Sequence, residues 1–411
     1  AGYIKRVPVR EYRQQKRGGK GSKGMAPRDE DLVTKLFVTT NHAYILFLTD
    51  RGRAFLKRVF DIPEAGRAAR GRAVVNFVQL NAEESIAAVV CIPESDFWDE
   101  SHGLLTCTRR GKVKRTELWR YVYSEREFFG AEEYKGVKEF RANDERPPLP
   151  NIRQTGINGV AIEEGDSLLT AAIVGGDQEV LIGTAKGQSI RFTAAQVRPT
   201  GRDTMGVKGI ELRAGDHVVG MGVIAVGAGG VSESERAEGD APEDEIESVA
   251  ATPDVGEEDV QGEAPEDPSS QYVLTVSELG YGKRVSVDRW PEGRNRGGLG
   301  VIAMGLSETT GELVRLSIVQ PGDGLMAITD GGVVLRTEAD TVPIHGSRNT
   351  RGVRIIRLSS DQRVVDVEPI PGTDEQESEP PPDGQVAGDP EEAGPAKVSG
   401  GDQDDPEETS G

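Results

Sequence analysis

Short β-prone runs that contain a basic residue recur along the chain, and each of them follows a turn that contains glycine. The pattern is clearest in TDRGRAFLK, TRRGKVKRT, TAKGQSIRF, SELGYGKRV and TDGGVVLRT. Short runs of this kind predict β-strands, and a glycine between two of them predicts a tight hairpin turn. We therefore expect each of these stretches to fold as strand, turn and strand.

The hairpins belong to one repeating unit, because their turn glycines lie about 50 residues apart once longer insertions are set aside. Six units follow one another, with the turn glycines Gly2, Gly52, Gly111, Gly187, Gly280 and Gly332. In five of them an arginine follows the glycine by four positions: Arg6, Arg115, Arg191, Arg284 and Arg336. A solvated cross-strand position explains this arginine as well as a functional one does, and both interpretations stay open here.

A second recurring element follows each turn and combines basic residues, glycine and another alternating run. It occupies residues 67–80, 201–212, 294–304 and 347–358, with a weaker version in 153–162. A polar turn and a final apolar strand complete the unit. Aspartates at these last turns, such as Asp166 and Asp216, are expected to cap them.

Six units of about four strands each predict an all-β propeller with six blades. A blade cannot bury both faces alone, so the blades must stack in a ring that also needs a closing device. An open β-solenoid and a pair of sandwiches are the alternatives. The 52 glycines and 23 prolines of the chain agree with a fold that is rich in turns.

Charge divides the chain into a basic body and two acidic segments. Residues 228–271 hold 15 acidic residues and one basic residue, and residues 371–411 hold 13 and one. The remainder holds 41 acidic and 47 basic residues, although the whole chain has a net charge of -20. We expect a folded domain over residues 1–370, a disordered acidic insert at 228–271 and a disordered acidic tail at 371–411.

The cysteine count and the lack of a long apolar segment in the sequence predict a cytoplasmic protein. Cys91 and Cys107 are too few for a disulfide framework and are expected to be buried thiols. No apolar run has transmembrane length and no signal peptide is present, so a membrane is not an expected partner. The sequence starts without Met, which suggests a fragment of a longer protein.

The stretch QKRGGKG is the strongest candidate for binding. It takes the place of the second element in the first unit and consists of Gln15, Lys16, Arg17, Gly18, Gly19, Lys20 and Gly21. Its glycines let backbone amides and cations lie together against phosphate oxygens. Because Gly21 follows Lys20, the stretch lacks the ending of a P-loop and a nucleotide site is excluded. A solvated turn is the alternative interpretation.

These seven residues resemble, at every position, the gyrase box in the C-terminal domain of the DNA gyrase A subunit. The stretches GRNRGGLGV, GSRNTRGVRIIRL and ITDGGVVLRT are similar to later blades of that family. The resemblance covers about Gly2 to Ile370. It implies a six-bladed β-pinwheel, a propeller variant whose neighbouring blades exchange strands and around whose basic outer rim DNA bends. The box would latch the first blade against the last. The first unit lacks a strand before Gly2, so its sheet can be incomplete.

The resemblance also implies the partners and the division of labour in a type IIA topoisomerase. Double-stranded DNA would bind largely without sequence specificity, and the gyrase B subunit would join an A2B2 heterotetramer through an N-terminal region that this sequence lacks. The DNA-cleaving Tyr would lie in that region, and ATP and Mg²⁺ on the B subunit. We therefore expect no catalytic residue, cofactor or metal on this chain. The equivalent domain of topoisomerase IV, which usually has a degenerate box, and a propeller that scaffolds proteins are the alternatives.

Basic residues in or just before the second elements are the candidates for the DNA-binding rim. They are Arg67, Arg70, Arg202, Lys208, Arg294, Arg296, Arg348 and Arg351. Their clustering with glycines favours phosphate contacts over a merely solvated face. The tryptophans Trp98, Trp119 and Trp290 are expected to pack in the core or rim rather than stack on bases. Nothing in the sequence resembles a recognition helix, so readout of base sequence is not expected.

Overall fold

The computed structural model describes residues 3–8, 22–23, 43–66, 69–93, 96–97, 99, 101–123, 155–225, 270–359 and 362–370. Strands dominate these ranges, and the helices within them are single 3-10 turns such as Val59–Asp61 and Ala339–Thr341. The predicted all-β fold is therefore confirmed. Within the same ranges, no helix has the length and apolar character that a membrane span needs.

The described residues form five antiparallel hairpins, and each hairpin turns at one of the predicted turn glycines. The paired strands are β3 (Tyr44–Thr49) with β4 (Arg53–Arg58), β7 (His102–Thr108) with β8 (Lys112–Glu117), β11 (Glu179–Thr184) with β12 (Gln188–Thr193), β15 (Tyr272–Ser277) with β16 (Tyr281–Ser286), and β19 (Gly324–Thr329) with β20 (Val333–Glu338). Their turn glycines all have positive φ, a region that other residues enter at a cost.

A longer strand pairs with the first strand of each hairpin and lies on the inner side of the sheet. These strands are β6 (Ile86–Ile92), β10 (Leu168–Gly175), β14 (Val218–Ile224), β18 (Leu313–Val319) and β22 (Val364–Ile370). Successive inner strands pack against one another, so they surround the centre of the domain. The opposite edge of each sheet faces outward.

Two-residue strands complete the outer edges and come from the following unit. They are β5 (Arg72–Ala73), β9 (Ile157–Asn158), β13 (Val207–Lys208), β17 (Val301–Ile302) and β21 (Val353–Arg354). Strands β9, β13, β17 and β21 pair with β4, β8, β12 and β16 of the preceding sheet, and β5 pairs with β1 (Tyr3–Ile4). Each unit therefore lends one strand to its predecessor.

The same exchange closes the cycle of units. Strand β2 (Ser22–Lys23), which belongs to the first unit, pairs with β20 in the last sheet, with Ser22 opposite Val334 and Lys23 opposite Val333. The first unit thus has a strand in the last sheet, while its β1 pairs with a strand of the second unit. Six exchange steps return the chain to its starting unit.

The prediction of six full blades is wrong for the described residues. They form five four-stranded sheets in a propeller arrangement and one two-stranded sheet of β1 and β5. The physical reason lies in the first unit. Among the described residues, its strand β1 pairs with β5 alone, so this sheet has two strands. Residues 24–42, which follow β2, lie outside the described part of the chain.

The core lies between neighbouring sheets rather than within any one of them. One apolar cluster joins Leu46 of β3 with Leu104 of β7 and Leu168 of β10, and another joins Leu274 of β15 with Leu325 of β19. Each sheet therefore depends on the next for the burial of its face, as a propeller requires.

The boundaries of the acidic insert and tail stay predictions, because residues 226–269 and 371–411 lie outside the described ranges. The chain divides into two compact units, Ala1–Gly372 and Thr373–Gly411. Gln271, the last residue of the predicted insert, is buried, and its Oε1 accepts a hydrogen bond from the backbone N–H of Ala225 at 3.0 Å. Ala225, which precedes the predicted insert, therefore lies beside Gln271 at its end.

Candidate nucleic-acid interface

Loops that precede the outer two-residue strands form the edge on which most of the candidate cations lie. We name residues 66–71, 201–206, 295–300 and 347–352 the rim loops. Each ends in a glycine that lies against the preceding unit. A Cβ at Gly300 would lie 2.0 Å from the carbonyl oxygen of Ser189, and one at Gly352 would lie 2.5 Å from that of Gly282. The close approach explains why glycine stands at the end of these loops.

In the three later rim loops, one arginine precedes this glycine by four positions and binds the neighbouring unit. Nη1 of Arg202 donates to the carbonyl oxygen of Asn158 at 2.8 Å, that of Arg296 to Lys208 at 2.9 Å, and that of Arg348 to Ile302 at 3.1 Å. Each acceptor is the second residue of an outer strand. The bond fixes the guanidinium at the outer edge, while an arginine has five N–H donors in total.

The other predicted DNA-binding cations lie near these arginines and differ in the solvent exposure of their side chains. Lys208, Arg294 and Arg351 are exposed, whereas Arg70 is partly buried and stacks its guanidinium over the ring of Tyr3 at 3.9 Å. Lys208 also forms an ion pair with Glu211. An exposed pair of this kind contributes little, so a phosphate can compete with Glu211 for the ammonium. Arg67 lies outside the described residues.

The arginines that follow the turn glycines by four positions are mostly buried, so the solvated interpretation is wrong for them. Arg115, Arg191 and Arg284 are 8%, 5% and 2% exposed. Nη1 of Arg191 donates to the carbonyl oxygens of Val287 and Trp290 at 3.0 and 3.1 Å, and Nε of Arg284 donates to that of Val342 at 2.8 Å. These acceptors belong to the next unit. Arg191 and Arg284 therefore join their units to the next ones, whereas Nη2 of Arg115 donates to the carbonyl oxygen of Ser101 at 2.9 Å within its own unit.

Buried lysines beside these arginines are functional candidates that the sequence pattern did not single out. Lys114 and Lys283 are 2% and 0% exposed, and their ammonium groups donate to carbonyl oxygens of rim loops. Burial, together with a smaller effect of Arg348, lowers the pKa of Lys283 to about 7. Burial lowers the pKa of Lys114 to about 8. The repeated KR pair of GYIKRV and GYGKRV was the available signal.

The gyrase-box stretch, Gln15 to Gly21, lies outside the described residues. The strand that follows it directly is β2, which pairs with the last sheet. In the sequence, Arg17 precedes Gly21 by four positions, as Arg202 precedes Gly206 and Arg348 precedes Gly352. In the sequence, the stretch therefore stands where a rim loop stands in the later units, directly before a two-residue outer strand.

The described tryptophans pack inside the fold, as expected. Trp119 and Trp290 are 2% and 1% exposed, and Nε1 of Trp290 donates to Oγ of Ser189 at 2.7 Å. They are therefore not platforms for bases, while Trp98 lies outside the described part. Among the described residues, no group of three His, Cys, Asp or Glu side chains is arranged to hold a metal ion.

Comparison with known proteins agrees with the resemblance inferred from the sequence. The family model for the DNA gyrase C-terminal domain, described as a β-propeller, matches residues 1–40, 43–93, 104–122, 178–225, 271–320 and 325–371. Among relatives, the DNA gyrase A subunit of Deinococcus deserti is 34% identical over 376 residues, which is 91% of this chain and 38% of the relative. The DNA gyrase A subunit of Pseudomonas aeruginosa is 32% identical over 402 residues, 94% of this chain and 38% of the relative. The chain thus spans about two fifths of these relatives' length.

Solved structures show the same fold at lower identity. A structure of the DNA gyrase A C-terminal domain matches with a TM-score of 0.63 and 21% identity, covering 90% of this chain and 96% of that one. The C-terminal domain of DNA topoisomerase IV matches with a TM-score of 0.56 and 16% identity, covering 90% of each chain. With a family model that matches most of the sequence and relatives more than 30% identical across it, the chain belongs to the DNA gyrase C-terminal domain family.

Proposed function

We propose that this chain is the DNA-wrapping domain of the DNA gyrase A subunit. It bends duplex DNA around its rim so that the ATP-dependent holoenzyme introduces negative supercoils. One observation carries the proposal. Arginines at equivalent places recur on the outer edge of successive units, each held by a hydrogen bond to a neighbouring outer strand. A row of cations that repeats with the units offers phosphates a contact at each step without reading bases.

The number of contacts decides whether such a rim can hold bent DNA. One or two cations per unit give on the order of ten phosphate contacts, each adding about 0.9 to the log–log dependence of affinity on salt. Bending a site of 20–30 base pairs costs roughly 1–6 kcal/mol. Phosphate contacts around the cycle offset that cost, and flexible DNA steps are bound in preference.

The gyrase box completes the wrap by closing the ring. Pairing of β2 with β20 supports this role, because it joins the residues directly after the box to the last sheet. In this proposal Lys16, Arg17 and Lys20 meet DNA at the junction of the first and last units. With the first unit completed by a strand ahead of Tyr3 in the whole subunit, the ring has six blades and the form of a β-pinwheel.

Gyrase is favoured over topoisomerase IV for two reasons. All seven positions of QKRGGKG are present, and the relatives above are gyrase A subunits. Structural similarity to the topoisomerase IV domain supports a shared fold alone.

The partners and cofactors follow from the same assignment. We propose that the domain acts in the cytoplasm as part of an A2B2 heterotetramer with the gyrase B subunit, contacted through the N-terminal region of the whole subunit. DNA cleavage takes place in that region, and ATP and Mg²⁺ bind to the B subunit. The chain then contributes binding and bending but no catalytic residue.

The acidic segments 228–271 and 371–411 compete with DNA for the rim in this proposal. A tethered polyanion has a high effective concentration next to a basic edge. Removal of residues 371–411 is then expected to raise DNA affinity. Unchanged affinity and salt dependence would instead make this segment a solubilising tail.

Salt titration of this chain tests DNA binding itself. Affinity for unrelated duplexes should differ little and should fall steeply between about 50 and 200 mM salt, by a factor of about 10³–10⁵ for six to ten contacts. Absence of salt-dependent binding would favour a propeller that scaffolds proteins and would reject the proposal.

A further inference from the structure

We propose that Lys5, Lys114 and Lys283 are positioning residues that shape three rim loops for phosphate, so that these loops hold DNA more firmly than the rim loop at residues 295–300. This inference rests on the proposed DNA-binding function of the rim. It goes further by ranking the rim loops and by naming the residues that set the ranking.

The three lysines occupy one repeat position in alternate units. Each follows a turn glycine by three positions, in the first, third and fifth units. The same position in the second, fourth and sixth units holds Phe55, Ile190 and Leu335.

Each lysine reaches into the rim loop of the next unit. Nζ of Lys283 donates to the carbonyl oxygens of Ser347 and Thr350 at 3.3 and 2.7 Å, and also to that of Arg348. Nζ of Lys114 donates to the carbonyl oxygen of Arg202 at 2.6 Å. Lys5 does the same in the first unit, where its acceptors are the carbonyl oxygens of Gly66 at 3.1 Å and Ala69 at 2.8 Å.

These bonds tie the shape of the loop to the lysine. The ammonium groups of Lys114 and Lys283 are buried, and a buried ammonium without partners is strongly unfavourable, so the loop carbonyls must stay turned toward these two. The arginine of the loop is thereby fixed as well, since Arg202 and Arg348 are themselves among the residues whose carbonyls bind the lysines. Such preorganisation lowers the cost of ordering a contact when a phosphate arrives.

The rim loop above Ile190 is built differently and serves as an internal comparison. Its backbone comes close to the isoleucine, because a Cβ at Gly298 would lie 3.8 Å from the Cδ1 of Ile190. Arg296 of this loop donates two side-chain bonds to protein carbonyls, from Nε to Gln196 at 3.1 Å and from Nη1 to Lys208 at 2.9 Å.

The protonation of Lys114 and Lys283 should respond to a phosphate bound at the rim loops. Arg348 faces Lys283 from the rim loop, where His345 also contacts Thr350, and Arg202 and Asp203 face Lys114. A phosphate at these loops would favour the charged lysines. DNA affinity should therefore fall as the pH rises through the range in which Lys283 and Lys114 lose their protons.

The experiment compares this chain with its Lys114→Met/Lys283→Met variant on a duplex of arbitrary sequence. We expect affinity about 10-fold lower and a salt slope reduced by about 2, because each loop loses at least one phosphate contact of about 0.9. Raising the pH from about 6 to 9 should weaken the unsubstituted chain and leave the variant nearly unchanged. The control is Ile190→Met/Leu335→Met, which changes the same repeat position without removing a charge and should bind normally.

Two results overturn the inference. A folded lysine variant with unchanged affinity and salt slope would show that the lysines do not position the contacts. If the unsubstituted chain shows no salt-dependent binding, the proposed function fails, and the inference fails with it.

If the lysine variant does not fold, the DNA affinities of the Arg348→Ala and Arg296→Ala variants are compared instead. The inference requires the larger loss of affinity from Arg348→Ala, and equal losses would reject it.

Discussion

Nη1 of Arg284 donates to Oδ1 of Asp340 at 2.9 Å and joins the fifth unit to the sixth. The arginine is 2% exposed, and its Nε also donates to the carbonyl oxygen of Val342. Arginine is usually found on protein surfaces, but here a buried arginine joins the sheets of the fifth and sixth units. Its partners lie within the next unit's 3-10 turn, Ala339–Thr341, or directly after it.

Replacing Arg284 by Met should therefore destabilise the domain. The carbonyl oxygen of Val342 loses its donor in a buried site, and we expect the free energy of unfolding to fall by about 2–4 kcal/mol. Denaturant titration provides the measurement. Arg289→Met, at an exposed position in the same unit, should change the value by less than about 0.5 kcal/mol. Similar values for the two variants would contradict a role for Arg284 in joining the units.

The turn glycine of the fifth unit should not tolerate a side chain. A Cβ at Gly280 would lie 2.4 Å from the carbonyl oxygen of Ile356, and its φ is +80°. Gly293 has a similar φ of +70° but nothing within 4 Å of such a Cβ. We expect Gly293→Ala to cost about 1–2 kcal/mol from its backbone alone and Gly280→Ala at least twice as much. Equal thermal stabilities of the two variants would show that contact with the next unit is unimportant.

Stability should increase with pH above neutrality because of the buried lysines. Burial lowers the pKa of Lys283 to about 7 in the folded state, whereas an unfolded lysine keeps its proton to about pH 10.4. The unfolded state therefore binds more protons between these values, and the free energy of unfolding rises by up to about 1.4 kcal/mol per pH unit for each such group. Denaturant titrations at pH 7, 8 and 9 would reveal the rise. It should be smaller in Lys283→Met, and an identical pH dependence would refute the assignment.

Neutralising the gyrase box should separate wrapping from strand passage. With Lys16, Arg17 and Lys20 replaced by Ala in the whole subunit, the holoenzyme should lose negative supercoiling but keep ATP-dependent relaxation. In the proposed function the cations contribute to the wrap, whereas cleavage and ATP hydrolysis belong to other parts of the enzyme. Gel assays of both activities on plasmid DNA make the comparison. Loss of relaxation as well would be inconsistent with a role in wrapping alone.

Local signals explain why the hairpins could be predicted. The turn at Gly52 or Gly187 depends on residues adjacent in sequence, and each of these glycines is followed by a β-prone run that forms a six-residue strand. The exchanged strands have only two residues, such as Val353–Arg354, which is too short for a period to show. Their exchange was expected from the family resemblance and not from the pattern itself.

Burial of the basic residues could not be predicted for a related reason. From their residue types alone, Lys283 and Arg284 are expected on the surface, since Lys and Arg side chains are seldom buried without a partner. Carbonyl groups some 60 residues away in the chain bind them instead, as the bond from Lys283 to Thr350 shows. Long-range acceptors of this kind leave no trace in the local sequence. The rim arginines were easier to find, because Arg202 and Arg348 stand at a fixed distance before glycine.

DNA topology provides the most direct test of wrapping. Nicked circular DNA would be sealed by a ligase in the presence of increasing amounts of this chain, deproteinised, and separated by gel electrophoresis. Wrapping around the rim predicts topoisomers shifted toward positive writhe, with a shift that grows with the amount of bound protein. A distribution identical to that of DNA sealed without protein, under conditions where the chain is bound, would contradict wrapping.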